Sequence, residues 1–161
     1  MANAPSPVPA TSSQLIPMLV CRDVGAELEF CRTVFDAVEV SRRPGADGAV
    51  VHALIKIGEA MVIIEGEWPT LTSRAPQRDG SSPVVIFVYV TDVDAVTERA
   101  GNAGATILAF PQNQFWGDRT ARILDPAGHV WLVATRIEET SESERAARWS
   151  DILEEKIEPL E

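Results

Sequence analysis

Asp23-Val24-Gly25-Ala26 recurs, later in the chain, as Asp92-Val93-Asp94-Ala95. The first follows an apolar, strand-like run from Leu15 to Cys21 and opens a helix-like stretch that reaches Phe35. The second follows Val84 to Val90 and opens a helix to Ala103. In each copy the aspartate can cap the helix, accepting hydrogen bonds from first-turn N–H groups that have no intrahelical partner. A second correspondence lies about seventy residues apart, and such internal repetition outweighs local signals. His52 to Gly58 matches Arg122 to Gly128, and each is followed by an apolar strand, Ala60 to Glu65 and Val130 to Ala134. Adding Val38 to Arg42 and Thr106 to Phe110 gives each half the order strand, helix, strand, strand, strand. The sequence therefore predicts an α+β fold of two βαβββ repeats.

The halves span residues 14–67 and 84–137, joined by a linker, 68–83, rich in Pro, Ser, Arg and Gly that reads as mobile. Residues 1–13, MANAPSPVPATSS, have neither a basic n-region nor an apolar h-region and read as a disordered tail. The third strand of the second half is expected to begin near Gln114 and to end at the turn Asp125-Pro126-Ala127-Gly128. Residues 138–161 read as an acidic amphipathic helix, opened by a Ser141/Glu144 capping box, with Trp149, Ile152, Leu153 and Ile157 at helical spacing. One apolar stripe implies docking on the body of the protein or on a second copy. Ile16, Val20, Ile64, Val88 and Leu132 are expected in the core, and Glu142 and Glu155 in water.

The 161 residues suit one domain, and 45% apolar with 24% charged side chains is an ordinary globular composition. A net charge of -10 argues against nucleic acid, whose phosphates need clustered Lys and Arg, and it permits a cationic ligand. No apolar run approaches the ~20 residues of a membrane helix, so no membrane partner is expected and the cytoplasm is the default location. Cys21 and Cys31 are expected as buried free thiols and make no zinc set.

The phrases Asn113-Gln114-Phe115-Trp116-Gly117-Asp118-Arg119 and Asp125-Pro126-Ala127-Gly128-His129-Val130-Trp131, set in two βαβββ halves, resemble the glyoxalase/bleomycin-resistance family, the vicinal oxygen chelate superfamily. The resemblance implies curved mixed sheets around a ligand cavity, and assembly into a homodimer. It also implies metal ligands, His or Glu, on the first and last strands of each half. Counting from the capping aspartates and strand-opening glycines places those positions near Ile16, Val62, Val85 or Ile86, and Leu132. A one-residue slip to Pro17, Ile63 or Val133 is no better. Aliphatic side chains have no lone pair to give, so neither a metal nor another cofactor is expected.

Six residues are the candidates for ligand contact. His52 and Arg122 share a repeat position, and two polar groups at matched places suit one pocket. Alternation puts Trp116, Asp118, Thr120 and Arg122 on one strand face, with Phe115 beside them, as an aromatic platform with an acid and a guanidinium. Trp116 suits the pocket or a core edge equally, whereas a simple Asp118–Arg119 pair fixing the turn is favoured for those two. Tyr89 is placed to project into a pocket, and Trp68, at the linker, suits a lid or a dimer contact. His129 reads as a hydrogen-bonding turn residue and Trp131 as packed under a helix. No residue is nominated as catalytic. The leading expectation is a small-molecule binder that sequesters an aromatic or cationic compound. The alternatives are a metal-dependent lyase, isomerase or dioxygenase, and a partner-binding module that uses the terminal helix.

Overall fold

The computed structural model describes residues 14–155 apart from 72, 78, 80 and 81. The tail 1–13, Ile157 and the Glu155 side chain lie outside the described residues. The first half comprises β1 (Met18–Cys21), α1 (Val24–Phe35), β2 (Val38–Pro44), β3 (Val50–Ile57) and β4 (Ala60–Gly66). The second comprises β5 (Val85–Tyr89), α2 (Val93–Asn102), β6 (Thr106–Asn113), β7 (Asp118–Leu124) and β8 (Val130–Arg136), and α3 (Glu142–Glu155) follows. Each half forms a four-stranded sheet, ordered β1-β4-β3-β2 and β5-β8-β7-β6. First and last strands pair parallel and the other pairs are antiparallel. This is the α+β, twice-repeated βαβββ fold that the paired aspartate-led helices predict.

The capping aspartates act as read. Asp23 accepts from the Ala26 N–H at 2.9 Å and Asp92 from the Ala95 N–H at 3.0 Å. The Ser141/Glu144 box closes reciprocally at the start of α3, with N–H contacts of 3.2 and 2.7 Å. Between the halves, Pro69–Leu71 forms a 3-10 turn, Ala75 is buried, and the Pro76 carbonyl accepts from Arg22 at 3.1 Å.

Strand alternation gives each sheet two faces. One carries Leu19, Cys21, Ala53, Ile55, Val62 and Ile64, or Ala121, Ile123, Trp131 and Val133, and packs on the helices; α1 and α2 also touch each other, so one core spans both halves. Trp131 and Phe35 join across that core, ring centroids 4.6 Å apart. Among the described residues no helix covers the opposite, outer faces. Ile64 is fully buried as expected, whereas Ile16, Val20, Val88 and Leu132 are only half-buried. For Val20 and Leu132 the reason is parity, which puts both on outer faces.

One register differs from the sequence alignment. The β3–β4 turn encloses Gly58 and Glu59 inside the pair Ile57–Ala60, while the β7–β8 turn encloses Pro126, Ala127 and Gly128 inside Asp125–His129. The second turn is longer by one residue, so matching its glycines displaces the strands. His52 lines up structurally with Thr120, and Arg122 with Leu54.

A polar cluster is buried where the halves meet. Asp125 accepts from the N–H groups of Gly128 and His129, both at 2.8 Å, and from the Trp131 indole at 2.7 Å. His129 Nε2 reaches across to the Val20 carbonyl at 3.1 Å and to Cys21 Sγ at 3.6 Å. The Cys31 thiol donates to Glu27 at 3.5 Å, and both cysteines are free and buried. Glu27 is 1% exposed and its Oε2 has no hydrogen-bond partner among the described residues. Burial, then the nearby Asp125 charge, pushes its carboxyl well above the carboxylate range. Burial also draws the His129 imidazole downward.

A raised native pKa means that the folded state binds the proton more tightly than the unfolded chain. The Glu27 contribution is therefore full in acid and is lost as pH rises from the ordinary value of 4.5 toward the raised one. Glu27→Gln removes that titration at constant shape. Urea unfolding should show the variant gaining on the parent as pH rises from about 5 to about 9, the difference curve isolating this one group.

Candidate functional site

The outer face of the second sheet holds a pocket of about 450 Å³, whose lining includes Leu108, Phe110, Gln112, Trp116, Thr120, Arg122 and Leu132. Its shape begins in β6, an edge strand whose pairing with β7 shifts register on either side of Ala109. Such irregularities bend a strand, and Pro111 is tolerated because an edge need not donate on both sides. Trp116 lies in the turn that follows, where the Gln114 N–H donates to the Asp118 carbonyl at 2.7 Å. Gly117 has φ +93°, and a Cβ there would stand 2.5 Å from the Glu138 carbonyl oxygen, so the turn demands glycine.

Asp118 organises this end of the sheet. Its side chain is fully buried and accepts from Trp116 Nε1 at 2.8 Å, the Tyr89 hydroxyl at 2.8 Å and Arg136 Nε at 2.7 Å. Burial pushes the carboxyl upward, but the hydrogen bonds from Arg136, Tyr89 and Trp116 prevail and hold it below its ordinary value. The Arg136 guanidinium also lies 5.9 Å from the Tyr89 ring centre. The expected Asp118–Arg119 pair does not form: neighbours on a strand point to opposite faces, and Arg119 instead grips Asp94 on α2 at 2.7 and 2.8 Å. Asp118 as an acceptor for three side chains was missed in the sequence, because Tyr89 and Arg136 are distant in the chain and meet it only through the β5–β8–β7 order.

The candidates divide between places. Trp116 and Arg122 share the pocket, and Tyr89, 54% exposed on β5, adjoins it through Asp118. Phe115 packs edge-on to Trp116 but turns toward α3, stacking on Trp149 with centroids 5.3 Å apart. Of the α3 stripe Trp149 touches the body, at Phe115, and Arg148 ties the helix to Glu138, while Leu153 stays 44% exposed. His52 lies on the other sheet, opposite Glu65 on β4, with its Nδ1 buried and unpartnered among the described residues. Trp68, half-exposed, sits at an isolated bridge to Ser73, away from the pocket.

At the strand positions where the sequence resemblance implies metal ligands, the described residues are mostly apolar. On the first and last strands, outer positions carry Met18, Val20, Ile63 and Glu65 in one sheet and Val85, Phe87, Tyr89, Leu132 and Ala134 in the other. Val62, counted as a ligand position, faces α1 in the core. One carboxylate among these does not hold a divalent ion. No group of three His, Cys, Asp or Glu side chains able to hold a metal occurs among the described residues.

The comparisons with known proteins agree with the fold. Residues 14–133 match the Glyoxalase/Bleomycin resistance protein/Dioxygenase superfamily, and the chain belongs to that superfamily. Uncharacterized proteins of Mycobacterium bovis and Mycobacterium tuberculosis are 39% identical over 139 residues, covering 84% of this chain and 91% or 82% of theirs. TioX from Micromonospora sp. ML1 superposes with a TM-score of 0.62 at 27% identity, over 78% of this chain and all of that one. The fosfomycin resistance protein FosX from Mesorhizobium loti shares the fold with a TM-score of 0.57 at 20% identity, over 83% of this chain and 97% of that one.

Because Asp118 satisfies three donors, Asp118→Ala should cost about 2–4 kcal/mol in urea unfolding, the range for leaving buried polar groups unpaired. Tyr89→Phe should cost about 0.5–1.5 kcal/mol, since it removes the bond to Asp118 and a longer one from Arg136, at 3.3 Å, and leaves the carboxylate two donors.

Proposed function

We propose that this chain binds and sequesters a small aromatic molecule in a cavity that the outer sheet faces form when a second copy covers them. The composition of those faces carries the reading. In one chain Phe87 is 47% exposed, Tyr89 54% and Phe110 70% on the second sheet, whose pocket joins apolar walls to Gln112, Gln114, Thr120 and Arg122, and Met18 is 50% exposed on the outer face of the first. Apolar walls with a few convergent polar groups suit a small ligand, and so wide an apolar face left in water marks an interaction surface. The helices separate the two outer faces, so neither can cover the other within one chain. A closed symmetric pair solves this, and the homodimer is part of the proposal. Neither nucleic acid nor a membrane is proposed as a partner; no helix among the described residues is long and apolar enough to cross a bilayer. Free buried thiols fit a reducing, cytoplasmic location.

An enzyme of the glyoxalase type is the second reading. It is favoured by one observation, the cross-strand neighbours His52 and Glu65 on one outer face. Elemental analysis after chelation and reloading with zinc, nickel, manganese and iron separates the two. The binding reading predicts well under one ion per chain. About one ion per chain or dimer, released by His52→Ala or Glu65→Ala, would put the enzyme in its place.

Light scattering at micromolar concentration should return twice the chain mass, and Phe110→Asp should return the monomer. Thermal-shift screening with small aromatic compounds should find stabilising ligands whose effect Trp116→Ala removes. A monomeric parent, or hits indifferent to Trp116, would contradict the reading.

A further inference from the structure

Within the binding reading above, on which this inference rests, we propose that the pocket of the second half selects an aromatic ligand bearing a carboxylate or similar oxyanion, held by Arg122. Among the residues that line the pocket, Arg122 alone is charged. It makes no hydrogen bond or ion pair among the described residues, whereas Arg42, Arg99, Arg119, Arg136, Arg145 and Arg148 each hold a carboxylate. Two residues away on the same outer face, Thr120 is only 4% exposed, lines the same pocket, and its hydroxyl has no hydrogen-bond partner among the described residues. The Gln112 side-chain amide on β6 stands cross-strand from it, equally unengaged. Such a site is rich in unused donors.

A guanidinium has five N–H donors and no acceptor, and it matches a carboxylate with two parallel bonds. An uncharged ligand filling the pocket would strip water from Arg122 and return nothing for its charge, which is costly. A cationic ligand fares worse. The nearest acid on the face, Asp118, is fully buried and already taken by Trp116, Tyr89 and Arg136. Trp116, Phe110 and Leu132 supply the apolar walls against which a flat ring packs. Of the aromatic and cationic ligands that the sequence admits, the geometry keeps the first and replaces the second by its opposite in charge.

Three probes of one shape and different charge test this on the full chain: 2-naphthoate, 2-naphthamide and 2-naphthylmethylamine, titrated by calorimetry into the parent and into Arg122→Gln. Naphthoate should bind at least about tenfold more tightly than the amide, with the amine weakest, and Arg122→Gln should bring naphthoate within about twofold of the amide. Equal affinities in the parent, or a naphthoate affinity unmoved by Arg122→Gln, would overturn the anion assignment while leaving the cavity in place. No binding of any probe at millimolar concentration would overturn the cavity itself, and the assignment with it. Because Arg122 is exposed and its side chain makes no hydrogen bond or ion pair among the described residues, the variant should keep the parent's melting temperature.

Discussion

The packing of α1 against α2 is the contact on which the rest of this structure depends. Each helix covers the inner face of its own sheet, and their mutual contact merges two small cores into one. Neither half is large enough to bury much surface alone. The junction is held by apolar contacts, such as Trp131 against Phe35, and by the polar bridge from His129 to the Val20 carbonyl. With the helices committed to the inside, both outer faces are left open.

The two turns that shape those faces use the same device. Asp125 and Asp118 are each buried carboxylates that accept three hydrogen bonds, and in both sets one donor is an indole N–H, from Trp131 and Trp116 respectively. A buried charge is tolerable only when its lone pairs are so filled. The outcome differs by face. Asp125 draws Trp131 into the core, while Asp118 fixes Trp116 at the rim of a pocket, which leaves Arg122 on the same strand without a carboxylate.

Much of the fold was legible because both repeats begin with a capping aspartate after an apolar strand, a local signal with a direct physical cause. The alternation in β7 also placed Asp118, Thr120 and Arg122 together on one face. What the residues alone did not reveal is long-range or depends on one residue of turn length. The extra residue of the Asp125–His129 turn displaced the match of His52 with Arg122, and those two lie on different sheets. The shifts in β6 that open the pocket leave no mark in the sequence beyond Pro111. Outer-face positions such as Val20 and Leu132 read as core because an apolar residue on an open sheet face looks, in sequence, like one that packs.

The central claim is that ligand enters the outer face of the second sheet beside Trp116. Four tryptophans provide separate indole N–H signals, from a core ring, an α3 ring, the Trp68 segment and the pocket rim. A nitrogen–proton NMR titration with 2-naphthamide and 2-naphthoate therefore locates binding directly. The account predicts saturable movement of the Trp116 signal while those of Trp68 and Trp131 stay in place. Saturation that shifts Trp68 or Trp149 and leaves Trp116 unmoved would contradict it.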